Sequence, residues 1–397
     1  MDVLIALEAR FVRTPDGCIW TQAMFAYPFW QRYLTVFDGV RILARVLDLL
    51  AVPSDWQRVD GVSVSLVPVP YYLGPWQYLR QALAVRRAVR CALRKDNAVI
   101  LRVGSNIASI LVPELWRSDH PYGVEVVGDP YDVFSPGAVK HPLRPVFRWW
   151  FSHNLRRQCV RACAAAYVTE HALQRRYPPS RRAFTTYFSD VELLDDAFVS
   201  SPRTSYEIDR PVRLVLVGSL EQMYKAPDVL LEAVERCRVN GLVIELTVVG
   251  DGKHRQELEA MARALSIQDS VRFLGQLTAG IAVREQLEGA DLFVLPSRQE
   301  GLPRAMIEAM ALGLPCIGST VGGIPELLPP EDMVPPGNAE VLAAKIQKVV
   351  QDPKRMAAMS QRNLQKAREF HDDALRQRRN MFYAAVKRET EIWLSSL

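Results

Sequence analysis

No stretch of this 397-residue chain holds eighteen or more consecutive apolar residues, so hydropathy gives no membrane-spanning helix. The opening Met1-Asp2-Val3-Leu4-Ile5-Ala6-Leu7-Glu8 has no basic leader, and its apolar run is too short for a signal peptide; the expectation is a cytoplasmic protein. Cysteine is sparse: the six residues, at 18, 91, 159, 163, 237 and 316, form no CxxC pair, which favours reduced thiols in cores over disulfides or zinc. Cys159 and Cys163 stand one helical turn apart with only Tyr and Arg nearby, so no metal is expected. A third glycine is missing too. Gly250-Asp251-Gly252 starts like a dinucleotide fingerprint, but Arg255 holds the last glycine's place, which counts against NAD.

What is present is an ordinary globular composition, 49% hydrophobic and 23% charged, which excludes wholesale disorder. The length exceeds what one core usually supports, so two domains are expected. The net charge of +5 is unevenly spread: residues 1–190 hold 24 Lys and Arg against 15 Asp and Glu, residues 191–397 hold 25 against 29. A basic half and a mildly acidic half suggest different partners, with no nucleic acid expected for either.

The most informative stretch runs from Pro296 to Pro315. The apolar run Ala290 to Leu295, broken only by Asp291, reads as a buried strand, and Pro303 suits the first turn of a helix. Gly313 ends that helix as a left-handed cap and Pro315 forbids its continuation. Glu300 falls in the loop and Glu308 inside the helix, among Ala305, Met306, Ile307, Ala309, Met310 and Ala311. A carboxylate buried there costs several kcal/mol unless something hydrogen-bonds it, as ligand hydroxyls would. The helix N-terminus, entered through Gly301, Leu302 and Pro303, supplies free N–H groups (the proline itself has none) and a positive dipole end for a phosphate between the two glutamates. The plainer alternative is a solvated Glu300 and a core Glu308 paired with an arginine.

Two glutamates separated by seven residues, followed by Gly322-Gly323-Ile324-Pro325-Glu326, resemble the retaining glycosyltransferases of family four. The resemblance implies the α/β GT-B architecture: two Rossmann-like, doubly wound domains with the ligand in the cleft at the carboxyl ends of their strands. It implies a UDP-sugar or GDP-sugar donor and a glycan or lipid-linked glycan acceptor. Glu300 would accept from sugar hydroxyls and Glu308 from ribose hydroxyls.

The alternation of elements agrees with such a sheet. Val3–Leu7, Val36–Val46, Val62–Val69, Ala98–Val103, Gly123–Val127 and Ala164–Thr169 read as extended, and Leu79–Leu93 as a basic helix. Asp195 to Pro211 is polar and irregular, a linker. Strands resume at Val212–Val217, Glu245–Val249, Val271–Leu274 and Cys316–Ser319. The expected domains are 1–200 and 201–373, with a C-terminal helix over 374–397 that, by resemblance, crosses back to the first.

Further site residues follow from the resemblance. Similar enzymes place a Gly-Gly pair in the first loop; only Gly17 stands here. They carry an Arg directly after the glycine of the first strand of the second half and a Lys six residues on. This chain has Gly218, then Ser219, then Lys225, so one diphosphate cation is missing, and Arg298 or Arg304 is the expected replacement. Gly250 borders the donor cleft, and Gly275-Gln276 falls where the nucleobase is held. Asp129 occupies the place of a histidine near the reacting sugar; a turn or N-cap aspartate is the alternative. With no base-activated nucleophile in view, a front-face mechanism without metal is expected, Lys225 and the helix N-terminus stabilising the leaving diphosphate. A nucleotide-sugar epimerase or hydrolase of the same fold, or a non-catalytic binding subunit, remains open.

His141 to Arg157 packs Phe147, Trp149, Trp150 and Phe151 among arginines, which suits either peripheral contact with the membrane or ordinary helix packing. Tyr71, Tyr72 and Trp76 read as core aromatics, with an acceptor lining as the alternative.

Overall fold

The computed structural model describes residues 1–22, 25–134, 142–206, 211–278 and 280–397; His141 and residues 207–210 of the expected linker lie outside them. The described residues form two compact units: Met1–Gly128, Trp149–Phe188 and Arg376–Leu397 make one, Asp129–Arg148 and Ser189–Leu375 the other.

The strands of the first unit are β1 (Val3–Arg13), β2 (Ile19–Thr21), β3 (Val40–Asp48), β4 (Gln57–Arg58), β5 (Val64–Pro70), β6 (Ala98–Val103), β7 (Gly123–Val126), β8 (Ala164–Tyr167) and β9 (Phe184–Tyr187). Parallel pairing runs β5, β3, β1, β6, β7, β8, β9, while β2 and β4 add antiparallel pairs at the far end of β1. β1 is longer than the run Val3–Leu7 suggests. Its pairing with β3 shifts register between Ala6 and Arg10, and Phe11 and Val12 then resume the buried pattern up to a hairpin turn.

The helices of this region are α1 (Tyr27–Gln31), α2 (Gly74–Ala92), α3 (Asn106–Arg117), α4 (Pro130–Val133), α5 (Arg144–Arg161) and α6 (Ala172–Arg176). α2 begins five residues before the expected Leu79, because Pro75 fits a first helical turn. Val85 and Val89 of α2, Ile107 and Leu111 of α3, and Leu155 and Cys159 of α5 join one buried cluster with Leu4, Val99 and Val124 of the sheet.

The second unit has a six-stranded parallel sheet ordered β12 (Val271–Gly275), β11 (Ile244–Val249), β10 (Val212–Val217), β13 (Leu292–Leu295), β14 (Cys316–Ser319), β15 (Met333–Val334). Four-residue strands such as β13 and β14 are buried throughout, as expected of a sheet covered on both faces. The covering helices are α7 (Pro227–Val239), α8 (Arg255–Ala264), α9 (Ile281–Glu288), α10 (Arg304–Ala311), α11 (Ala339–Val350) and α12 (Pro353–Ala367). The strand order reverses between β10 and β13, and loops at the carboxyl ends of those neighbours form the crevice where open α/β sheets bind ligands. The last helix, α13 (Asp372–Ser395), packs from Arg376 onward within the first unit, Tyr383 stacking on Tyr33 with ring centroids 4.5 Å apart. No helix of the described residues is long and apolar enough to cross a membrane.

Candidate active site

Five loops at the carboxyl ends of β10 to β14 lie against one another. The loop after β10 begins at Gly218, whose N–H donates to the Val249 carbonyl at 2.9 Å, and Leu220 N–H donates to Asp251 at 2.9 Å. A side chain at Gly250 would put its Cβ 2.0 Å from the Gly218 carbonyl oxygen, and φ +138° there already disfavours any L residue, so only glycine lets these loops meet. Gly250 N–H donates to Gly275 at 2.8 Å, bringing the β12 end alongside. Gln276 follows there with an exposed side chain whose Nε2 donates to the Leu277 carbonyl at 3.2 Å.

The loop after β13 carries Glu300. Its Oε1 accepts from Lys225 Nζ at 2.5 Å and from Ser297 Oγ at 2.8 Å. Its side chain is only 6% exposed, and its Oε2 has no hydrogen-bond partner among the described residues. The last loop is the Gly-Gly-x-Pro-Glu turn. A Cβ at Gly322 would fall 2.0 Å from the Glu300 carbonyl oxygen, with φ +54°, and Gly323 N–H donates to Gly301 at 2.7 Å. The glycine pair therefore serves as backing that fixes the Glu300 loop.

The structure brings Lys225, Glu300, Gly218, Gly250, Gly275 and Gly301 into this group. Pro303 is the N-cap of α10 rather than part of its first turn; the helix opens at Arg304. Gly313 has φ +63° just beyond its end. Glu308 lies half-buried on α10 and makes no hydrogen bond among the described residues, so the core pairing with an arginine is not what the fold shows. Burial pushes its carboxyl above the ordinary glutamate value, and the charge of Arg304, one turn earlier, opposes that rise.

Arg298 is bidentate on Asp228, at 2.8 and 2.6 Å, and also donates to the Met223 carbonyl at 3.1 Å. Its own N–H donates to Tyr224 at 2.7 Å. It thereby clamps the turn that presents Lys225, and its guanidinium is held on Asp228. Of the two arginines offered for Ser219, Arg304 is the exposed one. Ser219 is exposed as well, its Oγ accepting from Glu221 N–H at 3.2 Å.

Two further predicted residues belong to other loops. Gly17 belongs to the first unit, in the β1–β2 turn with φ +82°, its N–H donating to Thr14 at 2.9 Å. Asp129 caps α4, its Oδ1 accepting from Tyr131 N–H at 2.9 Å. Sequence reasoning missed Ser297, fully buried and bound to Glu300, and the Asp228 partner of Arg298. Ser297 had one available signal, a hydroxyl three residues before the loop glutamate; Asp228 had none, since the contact spans seventy positions.

Residues 203–366 match the family model of glycosyl transferases group 1. The chain is similar to Protein CapJ of Staphylococcus aureus, 27% identical over 75% of this chain and 74% of that one. It is similar to the amylovoran biosynthesis glycosyltransferase AmsK of Erwinia amylovora, 32% identical over 34% of this chain and 35% of that one. Among solved structures it resembles Anabaena HepE in complex with UDP and glucose, with a TM-score of 0.62, 17% identity and full coverage of both chains. The fold is the α/β GT-B fold.

Proposed function

We propose that this chain, a member of the glycosyl transferases group 1, transfers a sugar from a nucleotide-diphosphate donor to a hydroxyl acceptor with retention at the anomeric carbon. One observation carries the reading: both bonds to Glu300 fall on Oε1, which leaves Oε2 open beside a lysine and the start of α10. An ammonium has three N–H donors, so Lys225 can keep Glu300 and still hold two phosphate oxygens. Charge developing on the leaving diphosphate would then meet Lys225 and the unpaired N–H groups at the α10 N-terminus, a preorganised stabilisation of the leaving group.

In this reading Glu300 Oε2 accepts from a donor sugar hydroxyl and Glu308 from ribose hydroxyls, ligand bonds that would offset its desolvation. The diphosphate takes up the acceptor's proton on the same face. Asp129, buried after β7, is assigned to the neighbourhood of the reacting sugar. UDP-sugar is the favoured donor because HepE is described with UDP and glucose, GDP-sugar the other candidate. The positive charge supplied by Lys225 and α10 makes activity independent of added divalent metal, which assay in a chelator checks. The acceptor is a glycan or lipid-linked glycan of surface polysaccharide assembly, a setting supported by AmsK's role in amylovoran biosynthesis. The place of work is the cytoplasm, in peripheral contact with the membrane.

Incubation with UDP-sugars and GDP-sugars, following nucleoside diphosphate release and the anomeric proton of the product by NMR, tests the proposal. The expected product keeps the donor's anomeric configuration. An inverted product contradicts retention, and sugar release or epimerisation without transfer contradicts transferase activity.

A further inference from the structure

We propose that the solvent face of α2 is a docking surface for a bilayer bearing anionic phospholipid. The inference deepens the peripheral contact proposed above by naming the surface that makes it. α2 is held on one side: Val85, Val89 and Ala92 are buried in the core of the first unit, and Arg90 pairs with Glu114 of α3 at 2.8 Å. Its other side carries Trp76, 78% exposed, Leu79, 61% exposed, and Leu83, 83% exposed, with Leu73 just before the helix also exposed. The spacing of 76, 79 and 83 puts three large apolar side chains on one stripe of a helix already fixed by its opposite face. Trp76 is thus no core residue, contrary to the reading from sequence.

Charge selects the partner. Gly74–Ala92 contains no Asp or Glu, and Arg80, Arg86 and Arg87 form no hydrogen bond or ion pair among the described residues. An apolar stripe with a tryptophan, flanked by unpaired arginines and without acid, matches the interface of an anionic bilayer: ring and leucines enter the acyl boundary while the guanidiniums stay at the phosphates. α5, whose Leu155 and Cys159 join the same buried cluster, likewise exposes Trp149 and Trp150. Its arginines contribute less than sequence suggested. Arg148 stacks 3.4 Å over Tyr131, and Arg157 and Arg161 lie 4.9 and 4.4 Å over Trp116.

The test is co-sedimentation of the full chain with phosphatidylglycerol-containing vesicles and with pure phosphatidylcholine vesicles, at low and high salt. Wild type should prefer the anionic vesicles and lose them at high salt. Arg80→Gln/Arg86→Gln/Arg87→Gln should lower the anionic partition on the order of a hundredfold, since each arginine near the surface contributes roughly one factor of five. Trp76→Ser/Leu83→Ser should lower it about tenfold or more. Arg148→Gln/Arg157→Gln should leave partition unchanged. Calorimetry with UDP on the same samples should show unaltered nucleotide affinity, which separates a folding defect, or failure of the transferase reading, from failure of docking. Equal recovery with both lipids, or variants that sediment like wild type, overturns the proposal. So does a dimer, seen by sedimentation velocity, that Trp76→Ser/Leu83→Ser dissociates, because the occupant is then a second copy.

Discussion

Two carboxylates eight positions apart meet opposite fates. Glu300, in the loop after β13, is supported by Lys225, Ser297 and the backing of Gly322; Glu308, on α10, is half-buried with no partner of its own among the described residues. The first is stable as it stands and can act through one oxygen. The second carries a desolvation cost in the ligand-free fold, which ribose hydroxyls would offset on the function proposed above.

The comparison can be broken first at Lys225, where the largest effect is expected. Lys225→Ala removes both a partner of Glu300 and the cation assigned above to the leaving group, so turnover should fall about a hundredfold or more. Steady-state assay with the donor found by screening checks this, and near-normal turnover would assign the leaving-group charge to another cation. Next is the clamp. Arg298→Leu frees the turn that presents Lys225 and leaves Asp228 unpaired at a half-exposed position, so stability should drop by about 1–2 kcal/mol in urea denaturation, with a parallel loss of turnover. The smallest change is Ser297→Ala. It deletes one hydrogen bond to Glu300 and should cost about 1 kcal/mol by the same denaturation measurement, while Lys225 still fixes the carboxylate.

The unit from β13 to α10 was legible because its signals are local: a short apolar run, a proline at the helix entry, a glycine with φ +63° at its exit. The parallel strands β10, β12 and β14 were legible for the same reason. What escaped reading depends on distant partners. Arg298 looked like a free cation in sequence because Asp228 lies seventy residues away. β1 looked shorter because the register shift between Ala6 and Arg10 interrupts its apolar pattern. Trp76 looked like core because composition cannot tell which face of α2 meets the sheet; Val85 and Val89 decide that, and they point the tryptophan outward.

The most direct measurement is UDP titration by calorimetry on wild type and Glu308→Gln, joined to melting curves of both without ligand. Burial holds the folded carboxyl above its unfolded value, so its contribution to stability is full below the ordinary glutamate pKa and is lost as pH rises through the raised one. Glutamine does not titrate. The variant should therefore melt higher than wild type at neutral pH, with the gap narrowing in mild acid, while its affinity for UDP falls by roughly 1.5–3 kcal/mol. Unchanged affinity for UDP, with or without a change in melting, would contradict the assignment of Glu308 to the donor.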